Sequence, residues 1–415
     1  MFTRIPSIGT PIDAASILRG LGAGDTGPKF RRLLCEMTGR RYCALTGSGT
    51  TALYLILRSL KRLCLKDRCE VLMPAYTAPS LVLAMREAGA LPVLTEVSIT
   101  TFNQDLDAMK AAMCERTLAA MPVHMYGLIE DISNLEESAS RAGVFVIEDA
   151  ASAMGSSVGG RPAGSMGDVS FFSFNRGKNI STVRGGAVLT DREDIFEAVA
   201  EEQEKLRSPN GVMKLHTILK AVGLSLVWRP QFYSLLWPIA CRYKYRGLHE
   251  DIELISYTEF QSGLGCSLME RREEIFSKRH ENGTFLYDSL RGYEHVTTPS
   301  VAAGSYPVYN QFPILVQSPL REEMIDRLTG VGLGVTTLYP LPIHRIYELG
   351  HCESPDPFPG ASRLAREILL LPVHPGVSTL DLAQAVKIVT DRSWTRRDTT
   401  DTAEEHKKVT LQVDV

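Results

Sequence analysis

Between residues 70 and 190, short apolar runs alternate with segments of helical periodicity. The apolar runs lie at 70–73, 91–94, 118–123, 144–147, 169–172 and 187–189, and helical patterns at 79–88 and 129–142 separate some of them. Buried strands that alternate with helices imply a mainly parallel sheet covered on both faces, which is the α/β class. In such sheets a ligand binds outside the carboxyl ends of the strands. The chemistry should therefore be carried by residues that directly follow these runs.

Length and charge restrict the class of protein further. The 415 residues exceed the size of a typical single domain, so we expect two domains. The formal net charge of −3 offers no basic excess to neutralise phosphates, which argues against a nucleic-acid-binding protein. The eight cysteines form no CxxC pair, so we predict reduced thiols and no metal site. No apolar core of signal-peptide length begins the chain, and we expect a cytoplasmic protein.

A second region with a different pattern begins near residue 251. Helical periodicity covers 259–287 and 320–330, and apolar runs lie at 306–316 and 334–338. This mixture predicts a smaller C-terminal α+β domain. The end of the chain is polar and lacks periodicity over most of its length, as mobile ends do. We therefore expect a large domain over 1–250, a small domain over 251–392 and a mobile tail over 393–415.

An apolar stretch over 215–245 lies between the two regions. It contains Trp228 and Trp237, with basic residues among and beside its apolar side chains. No uncharged run in it reaches the roughly 18 residues that a membrane span requires. We rank a helical hairpin buried in a homodimer first, because exposed tryptophans would promote aggregation. Contact with a membrane surface ranks second, since aromatic and basic side chains together suit the lipid interface.

Three local motifs stand where chemistry is expected, and the first is Gly-rich. The sequence TGSGTT at 46–51 precedes an apolar helical run and includes Gly49 and Thr50. Small residues let the backbone approach a ligand, and the helix that follows offers unpaired N–H groups at its positive end. This combination holds a phosphate, but the same letters also form an ordinary loop and helix cap. Both interpretations stay open on this motif alone.

The second motif is VIEDAAS at 146–152, which places Asp149 at the end of a predicted strand. A carboxylate at that edge of the sheet is positioned to pair with a protonated ring nitrogen of a ligand. The alternative is a helix N-cap by Asp149, which is a common use of this residue type. By itself the motif favours the cap.

The third motif is FFSFNRGKNISTVRGGAVLTD, which begins at residue 171 and contains Ser173 and Lys178. An isolated lysine after a strand is normally a solvated surface residue. The order of the parts changes this interpretation, because a phosphate loop and a strand-end aspartate both precede the lysine.

These motifs together resemble the DegT–StrS family of sugar aminotransferases, on the fold-type-I scaffold that binds pyridoxal 5'-phosphate (PLP). The resemblance extends from about residue 5 to residue 389. Its pieces, in chain order, are GSGTTAL at 47–53, VLMPAYTAPS at 71–80, PVHMYG at 122–127, VIEDAASAMGS at 146–156, SFNRGKN at 173–179, LYPLPIH at 338–344 and LLLPVHPG at 369–376. Their joint order is far more specific than any single piece.

The resemblance implies roles for the motif residues. Lys178 is the lysine that carries PLP as a Schiff base, and Asp149 pairs with the pyridinium nitrogen. Gly49, Thr50 and Ser173 hold the phosphate. PLP is an electron sink that the protein must anchor and keep protonated at its ring nitrogen. A lysine released by an incoming amine is then well placed as the general base.

The sequence departs from the family pattern at a few positions. Ser152 stands where the family often has glutamine, and we place it among the cofactor-binding residues. Ala78 replaces a usual aromatic residue, so we expect Tyr76 to stack on the cofactor ring instead. Leu254 and Ser256 occupy the places of an Asn-x-Arg whose asparagine usually reaches the phosphate of the neighbouring subunit. The residue that replaces that asparagine is not identified by the sequence.

The expected function is a PLP-dependent transfer of an amino group, with glutamate as the donor, to a nucleotide-linked keto-sugar in amino-sugar or polysaccharide biosynthesis. The resemblance also implies a homodimer. Two alternatives remain at this point. One is a PLP-dependent sugar dehydratase, against which Lys178 argues, because those relatives have a histidine there. The other is a regulatory or binding relative that kept the fold and lost the chemistry.

Overall fold

A seven-stranded sheet organises the N-terminal part of the chain, for which the computed structural model describes residues 4–22, 24–227, 229, 231–234, 251–350 and 355–391. The strand order is β1-β9-β8-β5-β4-β2-β3. These strands are β1 (Tyr42–Thr46), β2 (Glu70–Pro74), β3 (Leu91–Thr95), β4 (Thr117–Ala120), β5 (Phe145–Asp149), β8 (Val169–Ser173) and β9 (Gly186–Thr190). Two short strands, β6 (Ser157–Val158) and β7 (Arg161–Pro162), pair with each other and with β10 (Ser305–Tyr306).

The direction of the strands places the candidate motifs at one edge of the sheet. Neighbouring strands pair in parallel from β3 through β2, β4 and β5 to β8. Only β9 runs the other way, and it pairs antiparallel with both β8 and β1. The carboxyl ends of β1, β2, β5 and β8 therefore point to the same side, as the rule for ligand sites in α/β sheets requires. This confirms the expected α/β fold with a mainly parallel sheet.

Helices cover both faces of the sheet and continue into the C-terminal part. In chain order the described helices are α1 (Ala14–Gly22), α2 (Gly27–Thr38), α3 (Gly49–Leu63), α4 (Ser80–Glu87), α5 (Leu106–Ala111), α6 (Ser133–Ala142), α7 (Glu193–Gln203), α8 (Gly211–Val227), α9 (Glu259–Met269), α10 (Arg272–Leu290), α11 (Leu320–Gly330), α12 (Ile343–Ile346), α13 (Pro359–Glu367) and α14 (Thr379–Val389). Helix α3 is the most important for the site, because it begins directly after β1 and buries Leu53, Ile56, Leu57 and Leu60 against the sheet.

The C-terminal part contains a small antiparallel sheet. Strand β11 (Phe312–Leu315) pairs with β12 (Ile368–Leu371), and isolated bridges add Thr297 and Thr336 at its two sides. Helices α10 and α11 both pack against α14 beside it. One apolar core is continuous from the large sheet into this smaller one, since Met73 and Leu370 belong to the same cluster of buried side chains.

Contacts from the beginning of the chain reach the C-terminal part. The Ile5 N–H donates to the Gly332 carbonyl, and the Gly334 N–H donates to the Ile5 carbonyl. Helix α9, which follows residue 250, packs in turn against α1 and α2. The division into domains at 1–250 and 251–392 stays a prediction, and each side of it contributes an element to the other.

Several elements differ in detail from the sequence-based expectations. Strand β1 had no predicted counterpart. The helix expected at 129–142 begins only at Ser133, because Ile129 and Ile132 are buried in the loop before it. The helical pattern over 259–287 forms two helices that break at residues 270–271. The run at 334–338 contributes a single bridge at Thr336 rather than a strand.

The apolar stretch is only partly described. Helix α8 covers its first part, and α8 packs against α1. Trp228, Trp237 and most of the predicted hairpin after α8 lie outside the described residues, as does the tail at 393–415. Within the described part of the chain, none of the helices has both the length and the apolar character to cross a membrane.

Candidate active site

The motif residues meet at the carboxyl edge of the sheet. Asp149 is the last residue of β5, and Ser173 is the last residue of the neighbouring β8. Gly49 begins α3 beyond the end of β1, and Tyr76 lies two residues beyond the end of β2. Four segments that are separate in sequence are therefore joined by the parallel strand arrangement. Lys178 follows β8 on the same side.

The Gly-rich motif forms the start of α3. The Ser48 hydroxyl accepts the Thr51 N–H at 3.0 Å and lies 2.8 Å from the Thr50 hydroxyl. The Gly49 and Thr50 N–H groups belong to the first turn, where a helix has no acceptors of its own, and the helix dipole there favours an anion. A Cβ on Gly49 would lie 2.9 Å from the Cβ of Ser173. Because glycine has no Cβ, the start of α3 can approach β8 this closely, and its first-turn N–H groups lie near the Ser173 side chain.

The segment that departs from the family pattern lies directly against this helix start. The Gly47 N–H donates to the Ile255 carbonyl at 3.0 Å, and the Thr51 hydroxyl donates to the Glu253 carbonyl at 3.0 Å. Leu254, between them, replaces the expected asparagine. The main chain on both sides of Leu254 therefore supports the phosphate-binding turn within the same subunit.

Asp149 is a buried carboxylate whose pKa is set by the opposing effects of burial and of neighbouring groups. Its side chain is 4% exposed, and its Oδ1 accepts the Ala151 N–H at 2.9 Å. Burial raises the pKa of Asp149 to about 6, against the opposing effects of the Ala151 N–H, Lys178 and His124. The residues that follow form a turn rather than a helix, so Asp149 caps no helix. A cationic group in contact with this carboxylate would favour its ionised form.

Lys178 is held close to Asp149 by neighbouring residues. Its Nζ donates to the Ser152 hydroxyl at 2.8 Å. Burial lowers the pKa of Lys178, and the Asp149 carboxylate opposes that shift. Gly177 adopts a left-handed conformation with φ of 90° beside Ile8, where a Cβ would lie 2.9 Å from the Ile8 Cδ1. A lysine in this setting is more easily deprotonated than a solvated one, so a larger fraction of it is the free amine that can act as nucleophile and base.

Tyr76 connects the large sheet to the C-terminal part. It is 2% exposed, its hydroxyl donates to the Tyr339 carbonyl at 3.1 Å, and burial raises its pKa. The two tyrosine rings meet edge to face with their centroids 6.0 Å apart. Tyr339 belongs to the LYPLPIH piece, so that piece reaches the same site. The stacking of Tyr76 on a cofactor ring stays a prediction.

Two further residues of the site were not singled out in the sequence, although both belong to the PVHMYG piece. His124 is fully buried after β4. Its side-chain Nε2 lies 3.4 Å from the Glu148 Oε1, and its main-chain N–H donates to the Asp149 carbonyl. Tyr126 is 2% exposed and has a φ of 61°, which is a strained conformation for a bulky residue. A histidine and a tyrosine soon after a buried strand, on the strand that pairs with the one ending in Asp149, were the signal that could have identified them.

The residues present fit PLP. The start of α3 with Ser173 provides donors for a phosphate dianion, and a Gly49 Cβ would intrude on that space. Asp149 is a buried carboxylate suited to a protonated ring nitrogen, and Lys178 is close enough to influence its pKa. Within the described residues no group of three or more His, Cys, Asp or Glu could hold a metal ion. A mixed seven-stranded sheet with this site defines the fold-type-I class of PLP-dependent aminotransferases.

Comparison with known proteins identifies the particular family within that class. The chain belongs to the DegT/DnrJ/EryC1/StrS aminotransferase family, whose model matches residues 14–390. The sequence-based resemblance is thereby confirmed, and so are the expected enzyme class and the dependence on PLP.

Characterised relatives of similar length support this assignment. The chain is 28% identical to the GDP-perosamine synthase of Caulobacter vibrioides, with 86% of this chain and 87% of that protein covered. It is also 28% identical to the UDP-N-acetyl-3-dehydro-alpha-D-glucosamine 3-aminotransferase of Acidithiobacillus ferrooxidans, with coverage of 93% and 92%. The crystal structure of DesV from S. venezuelae superposes with a TM-score of 0.72 at 26% identity, with coverage of 92% and 94%. The expected sugar aminotransferase activity is confirmed by these relatives, while the individual roles of the site residues stay predictions.

Proposed function

We propose that this protein transfers an amino group from an amino acid, with glutamate as the donor, to the keto group of a nucleotide-linked sugar. The product would supply amino-sugar or polysaccharide biosynthesis. Family membership and the relatives that act on GDP-, UDP- and dTDP-linked sugars support the substrate class. The observation that carries the proposal is a buried Lys178 whose Nζ donates to the Ser152 hydroxyl at 2.8 Å and which lies close enough to the buried Asp149 for each to influence the pKa of the other.

Lys178 is the proposed catalytic residue. PLP, when bound, supplies the electron sink for charge that develops at the α-carbon of the donor. Burial lowers the pKa of the Lys178 ammonium and so favours the neutral amine that removes a proton from that carbon. The Ser152 hydroxyl, 2.8 Å from Nζ, fixes the direction of the amine. The same amine would then deliver that proton to C4′ of the cofactor.

Asp149 and the start of α3 bind the two ends of the cofactor in this proposal. The Asp149 carboxylate would hold the proton on the ring nitrogen, and pairing with that cation would keep the carboxylate ionised although it is buried. Gly49, Thr50 and Ser173 would donate to the phosphate, where the helix dipole adds to the attraction. Tyr76 would close one face of the ring. Binding at both ends orients the reacting atoms toward Lys178.

We also propose that the protein is a cytoplasmic homodimer with an active site near the subunit boundary. The cysteines within the described residues are free thiols, which suits a reducing compartment. The dimer follows from the family resemblance, and closed two-fold dimers are the commonest assemblies of soluble proteins.

The substrate proposal is tested with a panel of GDP-, UDP- and dTDP-linked 3-keto and 4-keto sugars. Each sugar is incubated with the holoenzyme and glutamate, and the amino-sugar and 2-oxoglutarate are quantified by mass spectrometry. We expect one nucleotide and one keto position to give at least about 100-fold higher kcat/KM than the others. Glutamine, aspartate and alanine replace glutamate in parallel reactions.

The products also separate the proposal from the dehydratase alternative. An aminotransferase forms one amino-sugar and one oxo-acid for each turnover. A dehydratase would remove a sugar hydroxyl and leave a deoxy keto-sugar, with the donor converted to its oxo-acid and its nitrogen released as ammonia rather than retained on the sugar. Loss of a sugar hydroxyl without amination would contradict the proposed function. The lysine at position 178, where the dehydratases have histidine, makes amination the expected result.

A further inference from the structure

Helix α8 exposes a continuous row of apolar side chains. Val212, Leu215, Leu219, Val222 and Leu226 follow one another at spacings of three and four residues, so they lie along one face of the helix. Each of these side chains is between 39% and 77% exposed. We call this row the α8 stripe. Singly scattered exposed apolar residues are ordinary, but a row of five on one helix face marks an interaction surface.

The buried face of α8 lies opposite the stripe, so the stripe faces away from the protein interior. Thr217 and Ala221 are the buried residues of this helix, and α8 packs against α1. Helix α1 itself exposes Leu18 and Leu21 at 67% and 53%. The helix beside α8 therefore carries exposed apolar side chains of its own.

The segment that carries the stripe has basic residues and no acidic ones. Lys214 and Lys220 are exposed on α8, and the sequence from 206 to 249 contains seven Lys or Arg residues and no Asp or Glu. The rest of the chain has the opposite balance, since its remaining 38 basic residues face 48 acidic residues. An apolar row in a segment whose charged residues are all basic is complementary to an interface that has an apolar interior beneath an anionic outer layer.

A second copy of the chain fits this surface less well. A two-fold contact would place the same patch against itself, because such interfaces are self-complementary. The lysines of one copy would then meet those of the other, with no carboxylate in the segment to pair with them. Like charges at an interface disfavour association. The charge pattern therefore argues against the helical hairpin as a dimer core, which was the first-ranked expectation for this stretch.

We propose that α8 lies in the surface of a membrane that contains anionic phospholipid. The α8 stripe enters the boundary between headgroups and acyl chains, and Lys214 and Lys220 contact the lipid phosphates. The helix lies parallel to the membrane plane, since no described helix could cross a bilayer. This docking is independent of the chemistry at Lys178.

The test uses flotation of the holoenzyme with vesicles of phosphatidylcholine alone or with phosphatidylglycerol added at roughly one third. We expect binding to the anionic vesicles, little binding to the neutral ones, and release as salt is raised from low concentration through the range in which surface charges are screened. Replacing Lys214 and Lys220 with alanine should weaken binding about fivefold for each lysine.

A matched pair of variants tests the α8 stripe itself. Leu215→Glu with Leu219→Glu should reduce vesicle binding at least 100-fold, because two carboxylates would enter the lipid interface. Leu65→Glu with Leu380→Glu adds the same charge at exposed leucines elsewhere and should bind as the wild type does. Circular dichroism, cofactor absorbance and turnover should be unchanged in both double variants.

Sedimentation without lipid distinguishes membrane docking from a contact between copies. Membrane docking predicts the same oligomeric state for the wild type and for the Leu215→Glu, Leu219→Glu variant. A smaller species in that variant, together with wild-type protein that ignores anionic vesicles, would overturn the proposal and favour a second copy. Equal wild-type binding to neutral and anionic vesicles would contradict the role of the lysines. The wild-type measurements decide the question even if the stripe variant fails to fold.

Discussion

Replacement of Asp149 by asparagine separates the roles considered for this carboxylate. Asp149 is buried, and burial raises its pKa to about 6 although the Ala151 N–H and Lys178 favour the ionised form. Asparagine keeps an acceptor for the Ala151 N–H but carries no charge. We therefore expect Asp149→Asn to stabilise the cofactor-free protein at neutral pH and to slow the reaction of the holoenzyme.

The size of the stabilisation follows from the shift of the pKa from 3.8 to about 6. The folded protein binds this proton more tightly than the unfolded chain does, so the ionised carboxylate lowers the free energy of unfolding. This penalty is fully present above about pH 6, decreases as the pH falls from 6 to 3.8, and vanishes below pH 3.8. One pKa unit corresponds to about 1.4 kcal/mol, which gives a penalty of about 3 kcal/mol at pH 7.5 and about half of that at pH 5. The shift already includes the attraction to Lys178, and the buried asparagine amide has a desolvation cost of its own, so these figures are upper bounds.

The assay is urea unfolding of the cofactor-free proteins at pH 7.5 and pH 5. Asp149→Asn should unfold at higher urea than the wild type, with the larger difference at pH 7.5. Asp326→Asn, at an exposed carboxylate on α11, should change little at either pH. In the holoenzyme, Asp149→Asn should lower kcat about 100-fold, as the loss of a preorganised charge does.

A purely local role for Asp149, in which it only accepts the Ala151 N–H, predicts a different result. Asparagine can accept that N–H as well, so stability would fall by about 1 kcal/mol or less at both pH values, without loss of rate. Wild-type kinetics together with no gain in stability at pH 7.5 would refute the assignment of Asp149 to the ring nitrogen.

Three further predictions concern the cofactor site and the assembly. Gly49→Ala should weaken PLP binding at least tenfold in a fluorescence titration, because the methyl group would lie 2.9 Å from the Ser173 Cβ, whereas Gly330→Ala meets no atom within 4 Å and should bind PLP normally. Ser152→Ala should lower kcat about fivefold without changing the fold, since it removes one hydrogen bond from Lys178. An unchanged kcat would show that this hydrogen bond does not contribute to catalysis. Sedimentation should give a dimer at assay concentrations, and an active monomer would contradict the proposed assembly.

The sequence was sufficient to predict the fold class and to select the residues that meet at the candidate site. Strand and helix periodicities between residues 70 and 190 predicted the parallel core, because each buried strand is a local run of apolar residues. The order of Gly49, Asp149 and Lys178 along the chain predicted their meeting, since parallel strands bring their carboxyl ends to one edge. Both inferences depend on local patterns combined with a general rule of topology.

Features that depend on contacts between distant segments were not accessible in this way. Strand β1 escaped prediction because its sequence, YCALT, is short and lies next to a polar turn. The contact of Tyr76 with Tyr339 joins residues 263 positions apart. The approach of Glu253 and Ile255 to the Gly-rich turn is made through the main chain, on which side-chain type has little influence.

The most direct test of the account is to find where the cofactor is attached. The holoenzyme is reduced with borohydride, digested and analysed by peptide mass spectrometry, with Lys178→Ala treated in parallel. The account predicts a single reduced PLP adduct, on Lys178, and it predicts that the variant forms no adduct and shows no turnover above background while keeping the wild-type circular dichroism. An adduct on a different lysine, or undiminished turnover by Lys178→Ala, would contradict the account.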